Sequence, residues 1–192
     1  MKLSRKSISI EYNAQNMIGK TMLHTLSIST LPILLIIAAA GDVVSLRIPN
    51  WLTIATALVF FPMALLTGMP LTEFGTHILA GVILFIAGFI FFQFGLFGGG
   101  DAKLMAAAGL WFGTSQTLPF LLATALAGGV LAIAVGIWSM ILLSWEIHGN
   151  GEGLGEFGKK LREMKPNVPY GLAFAIGGIL AFRETWWVTG AA

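Results

Sequence analysis

The chain has 192 residues, of which 56% are hydrophobic and 10% charged, and carries a formal net charge of +2. A water-soluble domain of this length is about 25% charged, so this chain lacks the charge to cover a solvated surface. Its mean hydropathy of +0.84 fits an integral membrane protein, and a pI near 9.1 spread over membrane loops gives no reason to expect nucleic acid as a partner. Cysteine is absent, which excludes disulfides and thiolate metal sites.

In chain order, residues 1–26 form a polar head with Lys2, Arg5, Lys6 and Lys20 against Glu11. A secretory signal would need a small-residue cleavage site after its apolar core, and "AAAGDVVSLRIPNW" is a poor one. A first span is expected over about 27–46, ended by Pro49, which disfavours helix at Ile48. A second follows over about 50–68, broken by Pro62, and a third over about 73–94. After the triplet Gly98-Gly99-Gly100 comes a short helix from Asp101 to about Phe112. A fifth span covers about 117–145, a polar loop about 146–167, and a last span about 168–188. Trp51, Trp111, Trp145, Trp186 and Trp187 fall near span ends, where interfacial tryptophans belong. The expectation is an all-α membrane protein with about six transmembrane helices, the fourth short. It has a head at 1–26 and one domain at 27–190.

With the amino terminus outside, the cytoplasmic loops hold Arg47, Lys103, Lys159, Lys160, Arg162 and Lys165, and the outer side holds Arg183 plus the four basic residues of the head. That barely satisfies the positive-inside rule. A translation start at Met22 or Met17, or a head that is an accessory element, would restore the bias.

Polar chemistry is concentrated in the only two aspartates, Asp42 and Asp101. One sits at the exit of the first span and the other at the entry of the fourth, so parity puts both on one side. Carboxylates near membrane depth are costly and are functional candidates by default. Two that meet can share a proton, one acting as general base on water and the other as general acid. Local physics also allows a plainer outcome, in which Asp101 is an N-cap and Asp42 an interfacial charge satisfied by Arg47. The glycines before Asp101 let backbone approach closely and leave donors free for a substrate carbonyl.

At these residues the chain resembles the type IV prepilin peptidases, membrane aspartic proteases of the GxGD type. "DVVSLRIPNWLT" at 42–53 is similar to the first aspartate motif, and "GGGDAKL" at 98–104 to the second, with Gly98, Gly100 and Asp101 filling GxGD. "VPYGLAFAIGG" at 168–178 is similar to a segment near the last helix. The ordered set covers about residues 27–190, and the small size resembles the subgroup serving tight-adherence (Flp-type) pili.

The resemblance implies a GxGD aspartyl protease-like bundle in the bacterial inner membrane, with its active site facing the cytoplasm. It would remove the leaders of prepilins and pseudopilins, its partners being those substrates, the bilayer and the pilus assembly machinery. Asp42 and Asp101 match the catalytic pair; Gly98, Gly100, Lys103, Arg47, Pro49 and Asn50 match supporting motif positions. Larger members carry a cysteine-rich insert and methylate the new amino terminus. This chain has neither cysteine nor insert, so peptidase without methyltransferase is expected, with no cofactor and no metal.

Glu73 and His77 are expected as helix-end and interface residues at the outer start of the third span. Three scattered histidines, His24, His77 and His148, do not make metal-ligand spacing. The Phe-rich segment around Gln93 suits lipid contact, and the glycine pairs at 128–129 and 177–178 suit close helix packing. The alternatives are a small proton- or cation-coupled transporter component, a presenilin-like intramembrane protease, or a noncatalytic assembly subunit. Carboxylates at midplane would favour transport, and these two sit at helix ends.

Overall fold

In the computed structural model, residues 5–148 and 169–190 are described, and they contain helices and no strand. The helices are α1 (Arg5–Ser45), α2 (Asn50–Leu66), α3 (Leu71–Gln93), α4 (Gly99–His148), α5 (Tyr170–Phe182) and α6 (Trp186–Thr189). The expected loop at 146–167, with its alternating Glu, Lys and Arg residues, lies almost wholly outside the described residues.

Three helical stretches among the described residues are long and apolar enough to cross a membrane: Asn13–Ser45, Leu71–Gln93 and Gly99–Ile141. The 17-residue α2 is apolar but shorter, and α5 has 13 residues. The expected fourth and fifth segments are the two limbs of α4. They join at Gly113, whose φ of 63° and ψ of 175° are not helical. That region of backbone space is open essentially to glycine alone. A Cβ at Gly113 would also sit 3.1 Å from His77 Nε2.

Two expectations about helix limits change. α1 begins at Arg5, so the head as far as it is described continues the first span as one helix. Only its later part is apolar, and composition marks what suits lipid, not where hydrogen bonding stops. Pro62 does not break the second segment, because α2 runs through it to Leu66 and then ends in a turn containing Gly68 at φ 68°.

The first limb of α4 is the centre of the bundle. α3 and α5 pack on α4, α2 packs on it as well, and α1 closes against α5. Small residues set these distances. A Cβ on Gly88 would lie 3.0 Å from Ala102 O, and one on Gly109 3.2 Å from Ala80 O. Gly177 of α5 is tighter still, its face lying directly on the Thr124 backbone. Helices in lipid gain little from the hydrophobic effect between them, so close backbone approach through small residues is the available source of packing energy.

Trp111 and Trp187 depart from the interfacial expectation, because both are fully buried. Their ring centroids are 4.9 Å apart, and Phe60 meets each edge-on. Each indole N–H has a partner: Trp111 Nε1 donates to Thr56 O at 2.9 Å and Trp187 Nε1 to Trp111 O at 2.8 Å. A buried indole needs such an acceptor. Trp51 remains exposed, as expected of an interfacial residue. The Phe-rich end of α3 also follows expectation, with Phe89, Phe91, Phe92 and Phe94 exposed on the outside of the bundle.

Candidate active site

The last turn of α1, the first turn of α4 and the first turn of α5 meet at one end of the bundle. α1 carries Asp42, which is 5% exposed. The α1 helix ends at Ser45, and the chain leaves it through Leu46 at φ 52°, a left-handed conformation that costs a leucine about 1–2 kcal/mol. The Leu46 N–H still donates to Asp42 O at 2.8 Å, which fixes the turn immediately beside the aspartate. Arg47, Pro49 and Asn50 follow, all exposed, around a buried Ile48.

Asp101 lies in the first turn of α4, half-buried. The Gly98 backbone lies against its carboxylate, and a Cβ on Gly98 would be 2.8 Å from Asp101 Oδ2. Because α4 begins at Gly99, Asp101 is its third residue rather than its N-cap. Asp101 is also near enough to Asp42 to feel its charge. The two aspartates, 59 positions apart in the chain, thus share one end of the bundle.

The motif residues around them are interlocked. Gly100 rests on Ile48, and a Cβ there would be 3.2 Å from Ile48 Cβ and 3.3 Å from Ile48 O. Lys103 Nζ donates to Asn50 Oδ1 at 3.0 Å. The turn after α1 and the start of α4 are thereby joined by one packed contact and one charge-assisted hydrogen bond. Of the eight residues singled out from the sequence, Gly98, Gly100, Asp101, Lys103, Asn50 and Asp42 take part in this junction. Arg47 is exposed, with no side-chain hydrogen bond to either aspartate among the described residues, and Pro49 starts α2 from an extended conformation.

The plainer alternative had Arg47 satisfying Asp42, and a different residue fills that place. Gly171 N–H, in the first turn of α5, donates to Asp42 Oδ2 at 2.7 Å. The first N–H groups of a helix lack partners within it and carry its positive end, so a carboxylate is well placed there. A Cβ on Gly171 would lie 2.8 Å from Asp42 Cβ and 3.0 Å from Oδ2. Only glycine admits the carboxylate this closely. Phe97, just before the glycine triplet, packs on Tyr170 at 5.6 Å between ring centroids, which holds the α3–α4 turn against the same end of α5. Gly171, Tyr170 and Phe97 went unassigned in the sequence. The signal for the first two was the "PYG" of the third motif, which gave them position without a role.

His77 also differs from expectation. It is 2% exposed, stacks on Phe60 at 5.7 Å and meets the edge of Trp187 at 6.0 Å. It is a core residue at the far end of the first limb of α4. Among the described residues, no three His, Asp or Glu side chains gather as metal ligands would.

Chemically, the junction offers two carboxyl groups at one end of an apolar bundle, with the Gly171 N–H fixing one oxygen of Asp42. Such a pair can hold a water between an acid and a base.

Comparison with curated proteins and with solved structures found no match. A family model described as the type IV leader peptidase family matches residues 29–133, more than half of the chain and a range that includes both aspartates. With its apolar helices and this match, the chain is a multi-pass membrane protein that belongs to the type IV leader peptidase family.

Proposed function

We propose that this protein is an aspartic endopeptidase that removes the leader from Flp-type prepilins and pseudopilins at the cytoplasmic face of the inner membrane, with Asp42 and Asp101 as its catalytic pair. Residues 27–190 form the peptidase domain and residues 1–26 an accessory extension. The observation that carries the proposal is the convergence of the only two aspartates, Asp42 held by the Gly171 N–H and Asp101 set against Gly98, at the junction locked by Gly100 on Ile48 and Lys103 on Asn50. Family membership supports leader peptidase activity. The small size and the lack of cysteine support the subgroup without a methyltransferase.

In the proposed reaction a water lies between the two carboxyl groups. The ionised carboxylate takes a proton from the water as its oxygen adds to the scissile carbonyl carbon. The protonated partner gives its proton to the carbonyl oxygen, forming a tetrahedral diol. Collapse of the diol breaks the C–N bond. The departing nitrogen takes a proton from the carboxyl that first received one, and the diol returns its hydroxyl proton to the other, which restores the pair. One carboxyl and one amine result, and each aspartate has served once as acid and once as base. Gly98, Gly100, Lys103, Asn50 and Pro49 support the geometry, and Arg47 lies at the rim, where a substrate's flanking residues would pass.

The test is leader removal from a candidate prepilin by purified protein in vesicles, with the cut mapped by mass spectrometry. Wild type cuts at the leader junction, and Asp42→Asn and Asp101→Asn each reduce cutting by a factor on the order of 10³ or more while still inserting in the membrane. Normal processing by either variant refutes the pair. Ion flux through the vesicles without cleavage would instead support the transporter reading.

A further inference from the structure

The first limb of α4, residues 99–112, has an unusual far end. At Gly113 the chain leaves the helical path inside the bundle. The final carbonyls of a helix have no partners within it, and away from water they need donors from elsewhere. Two side chains from other elements supply them. His77 of α3 lies with Nδ1 2.7 Å from Leu110 O, and Trp187 of α6 donates from Nε1 to Trp111 O at 2.8 Å. A carbonyl only accepts, so the His77 proton is on Nδ1.

His77 is enclosed by its neighbours. Phe60 covers one face of its ring and Trp187 closes its edge. Gly113 lies on the Nε2 side, where an added Cβ would be 3.1 Å from the ring nitrogen. Among the described residues, the carboxylate whose charge reaches it is Glu73, one turn earlier on α3. The imidazole is therefore a donor aimed at one helix end, and the carbonyl it caps lies about 13.5 Å from Asp101 along the axis by the rise of the helix between residues 101 and 110.

We propose that His77 is a positioning residue for the peptidase reaction: it caps the far end of the limb whose first turn carries Asp101. The limb is a helix of only 14 residues, and at its near end it is held by Gly100 on Ile48 and by Lys103 on Asn50. His77 and Trp187 complete the clamp at the other end. If the far end slides or tilts, Asp101 moves relative to Asp42, which is anchored separately on Gly171. The proposal rests on the assignment of Asp101 to catalysis, and it makes His77 act on the chemical step without touching substrate.

The test compares His77→Asn with His77→Leu, two side chains of nearly the same shape of which only the first keeps a donor, and adds His77→Phe, which keeps a ring without a donor. Prepilin cleavage and amide hydrogen exchange over residues 99–112 are both read. Because a displacement near 1 Å can cost about 100-fold, His77→Leu and His77→Phe are expected to lower kcat about 10-fold or more. KM should change by less than about 2-fold, because the lost contact is felt at the chemical step rather than in substrate binding. His77→Asn should stay within about 3-fold of wild type, and amide exchange in the limb should rise in the two donorless variants only. Equal behaviour of His77→Asn and His77→Leu, or a loss confined to KM, overturns the proposal. Asp101→Asn is run alongside. If it still cleaves, the catalytic assignment fails, and the exchange comparison alone decides whether His77 caps the limb.

Discussion

Asp42 and Gly171 form the closest pairing in the candidate site, and glycine is there because nothing larger fits. Gly171→Ala would put a methyl 2.8 Å from Asp42 Cβ and displace the carboxylate from its N–H. We expect prepilin cleavage to fall on the order of 10–100-fold, with the protein still folded in detergent, as read by cleavage rate beside thermal unfolding. Lys103 and Asn50 make the second pairing. Their hydrogen bond is exposed, so each single substitution to alanine should cost stability modestly. A double-mutant cycle on unfolding should return a coupling of about 0.5–1.5 kcal/mol. A coupling of zero would mean that the contact does not hold the two motifs together. Both motifs were visible as residues, and Asp42 and Asp101 stood out because the chain has no other aspartate. What was not visible was the partner of Asp42. Arg47 was nearer in sequence, but the donor to Asp42 is the N–H of a helix start 129 positions away.

Among the elements, α4 shows how far local rules reach. The glycine triplet followed by aspartate predicts a helix start, and the structure begins α4 at Gly99. The short helix was expected to end near Phe112, and the backbone breaks at Gly113. Gly113→Ala forces a side chain into φ 63° and against His77. It should cost about 1–3 kcal/mol in thermal or denaturant unfolding. The α4–α5 contact sets a different constraint. A methyl on Gly177 would strike the Thr124 backbone, which no rotamer change can relieve. Gly177→Ala should separate the two helices and destabilise by about 1–3 kcal/mol or more, whereas Gly129→Ala, with open space around it, should be neutral in the same assay. Both glycines looked alike in sequence as members of "GG" pairs. Only the placement of α5 tells them apart.

For the whole molecule, the aspartate junction and the turn after α2 lie at opposite ends of α3. The proposed orientation puts the first toward the cytoplasm. Because the chain has no cysteine, single cysteines report this directly. Leu96→Cys, exposed in the turn before α4, should be labelled by an impermeant thiol reagent only in inside-out vesicles, and Leu71→Cys, exposed at the start of α3, only in right-side-out cells. The reverse pattern would put the junction outside and remove the proposed access to leaders made in the cytoplasm. A mixed pattern is expected if the head, with its four basic residues, competes to set orientation.

The sequence alone determined the membrane class, the all-helical architecture, the two candidate aspartates and the short helix that starts at the glycine triplet. These follow from composition, from hydrophobic run length and from glycine and proline punctuation, all of which act within a few residues. Only the tertiary structure decided that Asp42 is held by Gly171, that Gly100 and Lys103 lock onto Ile48 and Asn50, and that Trp111, Trp187 and His77 are core. Each of these is a contact between helices distant in the chain. In lipid such contacts depend on which small residues let two backbones approach and which buried donors find a carbonyl, and a single sequence does not record which helices are neighbours.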